Sequence, residues 1–323
     1  MKNIAIIGAG NIAEYMAKTI RLMDGVKPYA IASRSLERAE EFAKDQGFEK
    51  AYGSYDELVK DDAIDLVYIA TPHSHHYEHI KLCLENNKPV LCEKAFTANA
   101  KQAREVCEIA KNKNLLLAEA IWPRYMPIRK MIDDILKSGV LGELCMLTAN
   151  IGYDIQDVPR IFLPELAGGA LLDITIYPLN FASMFFGDDI EHFDTSVQMF
   201  ETGVDKQENI TLHYTDGKIA CLTATTMGIG DMSGTIMGSK GYLNVDNVNY
   251  PKHLKLYIKK TGKTEYFDAP PQLTGFEFEV QAALDAIDIG AYECPQMPHS
   301  QIIKMMELMD SIRNSWGMKF PFE

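Results

Sequence analysis

The sequence predicts a two-domain α/β protein: an N-terminal doubly wound domain over residues 1–122, then an α+β domain with a large, mainly antiparallel sheet over residues 123–323. Three observations predict it. Up to Glu119, short β-branched runs alternate with helical stretches of roughly a dozen residues, the rhythm of a parallel sheet wound by crossover helices. Strands such as Leu66-Val67-Tyr68-Ile69-Ala70 are apolar throughout, as strands covered on both faces are. After Trp122, strands follow one another at hairpin distances, separated by turn signals such as Thr215-Asp216-Gly217-Lys218 and Thr261-Gly262-Lys263.

Taken in order, the first domain reads as strands at 3–7, 28–33, 65–70, 89–92 and 115–118, with helices between them at 12–23, 36–46, 54–60, 74–85 and 99–111. The second opens on a helix at 127–137. Strands then follow at 144–151, 193–200, 208–214, 219–225, 234–237, 242–245, 254–258 and 264–267. Two amphipathic helices, at 275–289 and 300–316, close the chain, and the last is expected to pack back on the first domain.

Composition excludes several function classes. Lys and Arg number 32 against 45 Asp and Glu, and the net charge of −13 argues against nucleic acid or an anionic membrane surface as a partner. The excess is uneven: residues 1–122 hold 16 basic and 18 acidic side chains, a balance of −2, whereas residues 123–323 hold 16 and 27, a balance of −11. The opening Met1-Lys2-Asn3-Ile4-Ala5 has no basic leader and runs into a short apolar stretch ended by Gly8, so no signal peptide is expected. The longest apolar stretch, 171–186, carries Asp173, Pro178 and Asn180 and falls short of the ~20 residues of a bilayer span, so no membrane span is expected. Six cysteines without metal-ligand or C-x-x-C spacing read as reduced thiols, which points to the cytoplasm.

The chemistry-bearing motifs cluster where strands end. Gly8-Ala9-Gly10-Asn11-Ile12-Ala13 follows a strand and opens a helix. Gly8 permits the tight turn, Gly10 admits a pyrophosphate to the backbone, and Ala13 keeps helix and strand close, so a dinucleotide is the expected ligand. The second strand ends on Ser33-Arg34, with Arg38 one helical turn later, where NAD binders tend to carry Asp or Glu. A hydroxyl and guanidinium groups suit a 2′-phosphate, so NADP(H) is expected over NAD(H). The competing reading makes both arginines a solvated helix start paired with Glu37 or Glu41.

Thr71-Pro72-His73-Ser74-His75-His76 and the later His79 follow the 65–70 strand at the ligand edge of the sheet. Without Cys or carboxylate at ligand spacing, a metal is not expected; contact of this turn with the cofactor is, against a helix start capped by Ser74. Glu93-Lys94 ends the next buried strand at the same edge. In the second domain Asp173 and Tyr177 stand at i and i+4, on one helix face amid apolar neighbours, and a buried Asp173 demands a partner.

These residues together resemble the glucose-fructose oxidoreductase / inositol dehydrogenase (Gfo/Idh/MocA) superfamily, with an N-terminal Rossmann domain, and most closely its dimeric dihydrodiol dehydrogenase branch. The resemblance runs over nearly the whole chain: residues 8–13, Ala70 through His76, Glu93-Lys94, residues 119–125, 168–177 and 275–279. It implies hydride transfer between a nicotinamide and a hydroxyl or carbonyl carbon of a small sugar, polyol or cyclic trans-dihydrodiol. Lys94, Asp173 and Tyr177 are the implied catalytic group. Glu93, Thr71, Pro72 and His76 lie near the cofactor, and Trp122, Arg124 and Tyr153 line the substrate pocket, where Tyr125 and Phe162 add aromatic surface.

Inositol-dehydrogenase relatives carry His in place of Tyr177, so the tyrosine points to the dihydrodiol and sugar-oxidoreductase side. Two other positions depart from the family. Ala95 replaces the usual Pro after the lysine, so a different turn is expected to aim Lys94; Thr175 replaces a customary Gly and is expected to tighten the approach of its helix to the cofactor. In this reading Tyr177 is the general acid/base, Lys94 lowers the phenol's affinity for its proton, and Asp173 pairs with Lys94. Rival readings are an NAD-dependent redox-assisted glycosidase and a non-catalytic cofactor-sensing regulator. Association into a homodimer or larger homo-oligomer, through the open face of the second sheet, is also implied.

Overall fold

The computed structural model describes all 323 residues and divides them into two compact units, residues 1–125 with 272–307 and residues 126–271 with 308–323. The sequence places one boundary at 122 and expects the last helix of the second stretch to pack back on the first domain; in the structure the first unit runs to Tyr125 and takes in residues 272–307, the start of that last helix included.

The first unit holds six parallel strands: β1 (Lys2–Ile7), β2 (Val26–Ala32), β3 (Lys50–Tyr52), β4 (Leu66–Ile69), β5 (Val90–Glu93) and β6 (Leu117–Ala120). They lie in the order β3-β2-β1-β4-β5-β6. Ile4, Ile6, Ile7, Val67 and Ile69 are fully buried, because α1 (Asn11–Leu22), α2 (Leu36–Gln46), α3 (Tyr55–Leu58), α4 (His73–Glu85) and α5 (Ala100–Lys113) cross over the sheet. β3, three residues long and absent from the sequence reading, pairs with Ala30–Ala32 at the edge. The strand order reverses between β1 and β4, which opens a crevice at their carboxyl ends. The Gly8 amide there donates to Ala32 O at 3.0 Å, and the Ala70 amide to Ile7 O at 2.8 Å.

The second unit starts with α6 (Pro127–Lys137) and builds an eight-stranded sheet: β7 (Leu144–Gly152), β8 (Ile190–Met199), β9 (Asp205–Tyr214), β10 (Ile219–Thr225), β11 (Gly234–Gly238), β12 (Gly241–Val245), β13 (His253–Ile258) and β14 (Lys263–Asp268). The order is β14-β13-β12-β11-β7-β10-β9-β8, antiparallel except for the β7–β10 pair. Period-two alternation puts Leu147, Ile210, Leu222, Ile236 and Leu243 on the inner face, all fully buried under the helical layer. That layer consists of α7 (Pro159–Phe162), a π-turn at Leu171–Thr175 and α8 (Ile176–Phe186). The stretch Pro164–Phe186 is long and apolar enough to cross a membrane by composition, yet 83% of its apolar window is buried inside the protein, as the core helix of this unit. On the other face, register brings Met146, Ile219, Met237, Tyr242 and Tyr257 into one half-exposed row.

α9 (Glu277–Asp288) and the first turns of α10 (His299–Ser315) belong to the first unit. They cover its β6 edge: the Leu117 amide donates to Tyr292 O at 3.0 Å, and His299 Nε2 donates to Leu117 O at 2.8 Å.

Candidate functional site

The first unit contributes a cradle at the β1–β4 crevice. Gly8 has φ of +100°, and a Cβ there would lie 2.8 Å from Ala70 O, so the turn requires glycine. Gly10 is different: its backbone is extended (φ −109°, ψ −176°), and a Cβ would meet nothing within 4 Å. Gly10 is the N-cap of α1 without a side-chain cap bond, so the amides of the Asn11-Ile12-Ala13 turn face the open crevice. This cradle, which a side chain at Gly10 would fill, fits the pyrophosphate of a dinucleotide.

At the end of β2, Ser33 is buried and Arg34 exposed. Arg38 Nη2 donates to Ala9 O at 2.6 Å, which holds its guanidinium over the glycine turn. The Arg34 charge reaches Tyr55, His75 and His79 from α3 and α4. The α2 start is capped by Ser35, whose hydroxyl accepts from the Arg38 amide at 3.4 Å.

His76 is fully buried and ties two turns together, with Nε2 2.7 Å from Thr71 O and Nδ1 2.8 Å from Ala95 O. Burial pushes its pKa down to about 4, against the pull of those carbonyls and helped by the Lys94 charge. The N-cap of α4 is Pro72, not Ser74; the Ser74 hydroxyl is buried with no hydrogen-bond partner in the chain. That orphaned hydroxyl, at the same edge as Thr71 and Pro72, is a further polar atom available to a bound ligand.

The Lys94–Ala95 peptide is cis, so the turn expected to differ because of Ala95 keeps a cis bond. Around it, buried acids gather. The Tyr68 hydroxyl donates to Glu93; the Phe96 amide donates to Glu119 Oε1 at 3.2 Å. Burial pushes Glu119 up to about 7, although Arg124 and the Phe96 amide pull it down. Glu279, from α9, is fully buried and held far above the usual carboxylate range by desolvation and by Glu93 and Glu119.

Among the expected pocket-lining residues, Arg124 is buried with its charge acting on Glu119, and Tyr125 is buried with its hydroxyl donating to Glu119 O at 2.8 Å. Trp122 is half-buried and stacks on Phe276, with centroids 4.4 Å apart and planes 15° apart.

The second unit contributes Asp173 and Tyr177 on the π-turn and the start of α8, a local irregularity of a kind that recurs at functional sites. Asp173 is 5% exposed and accepts an ion-paired hydrogen bond from Arg160 Nη1. Arg160 went unremarked in the sequence; the only signal for it was the demand of a buried Asp173 for a partner, for which the sequence reading had named Lys94. Tyr177 and Tyr153 pack on one apolar cluster of Ile151, Ala170, Ile174 and Ala224, and Asn249 Nδ2 donates to the Tyr153 hydroxyl at 2.8 Å.

Thr175 is fully buried against the sheet, donating to Glu208 of β9. Beside it Asp205 Oδ2 accepts from the Leu171 amide at 2.5 Å, fastening the π-turn to β9. Burial pushes Asp205 up to about 6, and burial together with Asp205 pushes Glu208 well above the ordinary range. On the opposite sheet face His192, Asp194 and His213 bring three ligand-capable atoms within 4.8 Å of one another, a grouping across β8 and β9 that no local spacing signals.

Comparison with known proteins agrees with this geometry. Residues 2–120 match the model of an oxidoreductase family with an NAD-binding Rossmann fold, and residues 129–244 match the GFO/IDH/MocA C-terminal domain. Over 327 residues the chain is 32% identical to trans-1,2-dihydrobenzene-1,2-diol dehydrogenase of Xenopus tropicalis, covering 98% of each. It is 34% identical to the Homo sapiens enzyme of that name over 304 residues, 90% of this chain and 89% of that one. A 3-ketoreductase from Actinomadura kijaniata, solved with NADP and TDP-benzene, superposes with a TM-score of 0.89 at 26% identity over 97% of each chain.

Proposed function

Because the chain belongs to the GFO/IDH/MocA oxidoreductase family, we propose that it is an NADP(H)-dependent dehydrogenase or reductase acting on a hydroxyl or carbonyl carbon of a small sugar, polyol or cyclic trans-dihydrodiol. The observation that carries the cofactor choice is Arg38, its guanidinium fixed on the Ala9 carbonyl of the glycine turn, with Ser33-Arg34 in place of a ribose-binding carboxylate at the end of β2.

When bound, the nicotinamide supplies or accepts the hydride. The chain's own residues move the proton. Tyr177 gives its phenolic proton to the carbonyl oxygen in reduction and takes the alcohol proton in oxidation. A phenol of ordinary pKa about 10 needs a neighbouring cation for this at neutral pH, the role we assign to Lys94. Asp173 holds the π-turn through Arg160 and so orients Tyr177 one helical turn on. A spectrophotometric screen of NADPH oxidation and NADP reduction over aldoses, polyols and dihydrodiols tests the activity; turnover with NAD(H) alone would overturn the cofactor choice. Retained hydride transfer in Tyr177→Phe with its loss in Lys94→Met would exchange the two roles.

Self-association is part of the same reading. The half-exposed row of Met146, Ile219, Met237, Tyr242 and Tyr257 fits a second copy of this chain, because a broad apolar sheet face is seldom left in water. A mass in light scattering that stays monomeric at every concentration would contradict it. Six free thiols suit the reducing cytoplasm, where we place the protein.

A further inference from the structure

We propose that His192, Asp194 and His213, on the outer face of the second sheet, form a binding site for a first-row divalent transition-metal ion. The site lies wholly within the second unit and rests on no part of the oxidoreductase reading.

The placement follows from register. β8 is the edge strand of the sheet and pairs only with β9. His192 stands directly opposite His213, and Asp194 follows two residues later on the same face of β8, opposite Thr211. His213 in turn pairs with Ile219 of β10, and Ile219 with Met146 of β7, so the two histidines continue the half-exposed outer row to the edge of the sheet. The ladder is regular from His192 onward and breaks between Ile190 and His192, an irregularity of the kind that recurs at sheet edges and beside sites.

The three side chains already converge. His213 Nε2 donates to Asp194 Oδ2 at 3.0 Å, and the His192 ring lies on the His213 ring with centroids 4.2 Å apart and planes 6° apart. One ligand-capable atom from each residue lies within 4.8 Å of the other two. Ligand atoms ~2.1 Å from a tetrahedral ion stand about 3.3 Å apart, so at most about 1.5 Å remains to be closed. Rotation of His192 and Asp194, both exposed, can supply it. An ordinary surface ion pair accounts for His213 and Asp194 but not for a second imidazole on the same ring. Two imidazoles with one carboxylate suit zinc, cobalt, nickel or copper, whereas magnesium and calcium take oxygen ligands. Three protein ligands leave at least one position open to solvent, and a bound ion clips the edge strand to its neighbour. The same sheet supplies a contrast: His253 of β13 and Asp268 of β14 pair at 2.7 Å on neighbouring strands but belong to no three-ligand group.

Titration of the untagged full chain with Co2+, whose visible d–d bands report the ion's ligand geometry, tests the site, with Zn2+ as competitor. The wild type should take up one Co2+ per chain with saturating bands, which Zn2+ abolishes and an excess of Mg2+ leaves in place. His192→Ala, His213→Ala and Asp194→Asn should each weaken Co2+ binding by at least about 10- to 100-fold. His253→Ala, which breaks the two-ligand pair, and Cys145→Ser, which removes the exposed thiol, should leave it unaltered. Thermal melts without metal check that each variant is folded, and three separate ligand variants keep the test decisive should one of them not fold. No saturable uptake by the wild type, wild-type affinity in any folded ligand variant, or an equal loss in His253→Ala would overturn the proposal. The titration needs neither cofactor nor substrate, so its outcome is independent of the proposed activity.

Discussion

Gly10→Ala separates the fold of this protein from its cofactor site. Gly10 has an extended backbone with negative φ, and a Cβ there meets no atom of the chain within 4 Å. Alanine therefore costs the folded state nothing, and loss of freedom in the unfolded chain stabilises the protein by about 0.4–1 kcal/mol. The empty volume that accepts the methyl is the space in front of the α1 amides. A pyrophosphate excluded from it forfeits at least one charge-assisted hydrogen bond, about 1.5–3 kcal/mol, or a loss in affinity of roughly 10- to 150-fold. The loss should be equal for NADP and NAD, because the pyrophosphate is common to both. Thermal melts and cofactor titration by fluorescence or calorimetry measure the two halves. Gly8→Ala is the control of opposite sign: with φ of +100° and a Cβ 2.8 Å from Ala70 O, it should lower stability strongly. Wild-type affinity in Gly10→Ala, or a melting temperature as low as that of Gly8→Ala, would refute the placement of the pyrophosphate.

Arg38→Ala should weaken NADP binding about tenfold or more and leave NAD within about twofold, at fixed salt, since it removes a charge-assisted contact to the 2′-phosphate alone; equal losses for both cofactors would refute it. Arg160→Ala should lower the melting temperature and slow turnover more than it weakens cofactor binding, because it strips a buried Asp173 of its ion pair on the turn that carries Tyr177; unchanged kcat would show that Arg160 does not orient the turn. Glu208→Gln should stabilise the protein increasingly with pH. The folded-state pKa of Glu208 is raised, so its contribution is fully present below the unfolded value near 4.3 and is lost as pH rises through the folded one, at up to about 1.4 kcal/mol per pH unit. Denaturant melts at pH 5 and pH 8 test the sign, and an equal difference at both would remove the argument.

Which features could be read from the chain follows from the distance over which each is specified. The strands at β1, β4 and β5 and the helices α2 and α6 are local patterns of burial and capping, and the sequence located them to within a residue or two. β3 carries three residues with an exposed Lys50, too few for a period, and was invisible. The packing of the last helix back on the first domain was anticipated, but not that the return begins at residue 272 and takes in the helix before it, because an amphipathic helix announces that it has a buried face and not what covers it. The bonds that dock this segment, Thr274 to Thr19 and His299 to Leu117, join residues 255 and 182 positions apart.

The candidate site divides along the same line. The glycine turn, Ser33-Arg34 and the Glu93-Lys94 strand end are short-range motifs whose chemistry follows from residue type and position, and they needed no tertiary knowledge. Asp173 was marked as a buried acid in search of a partner, but burial states a demand without naming who meets it. The demand is met by Arg160, thirteen residues upstream and half-exposed at its own end, on a short helix that no pattern foretold. Glu119 and Glu279 were visible only as parts of motifs, since a carboxylate at a strand end or in an amphipathic helix ordinarily reads as solvated. Three acids 26 and 160 residues apart come to act on one another only when β5, β6 and α9 bury them, so that the charges of Glu93 and Glu119 raise the cost of ionising Glu279.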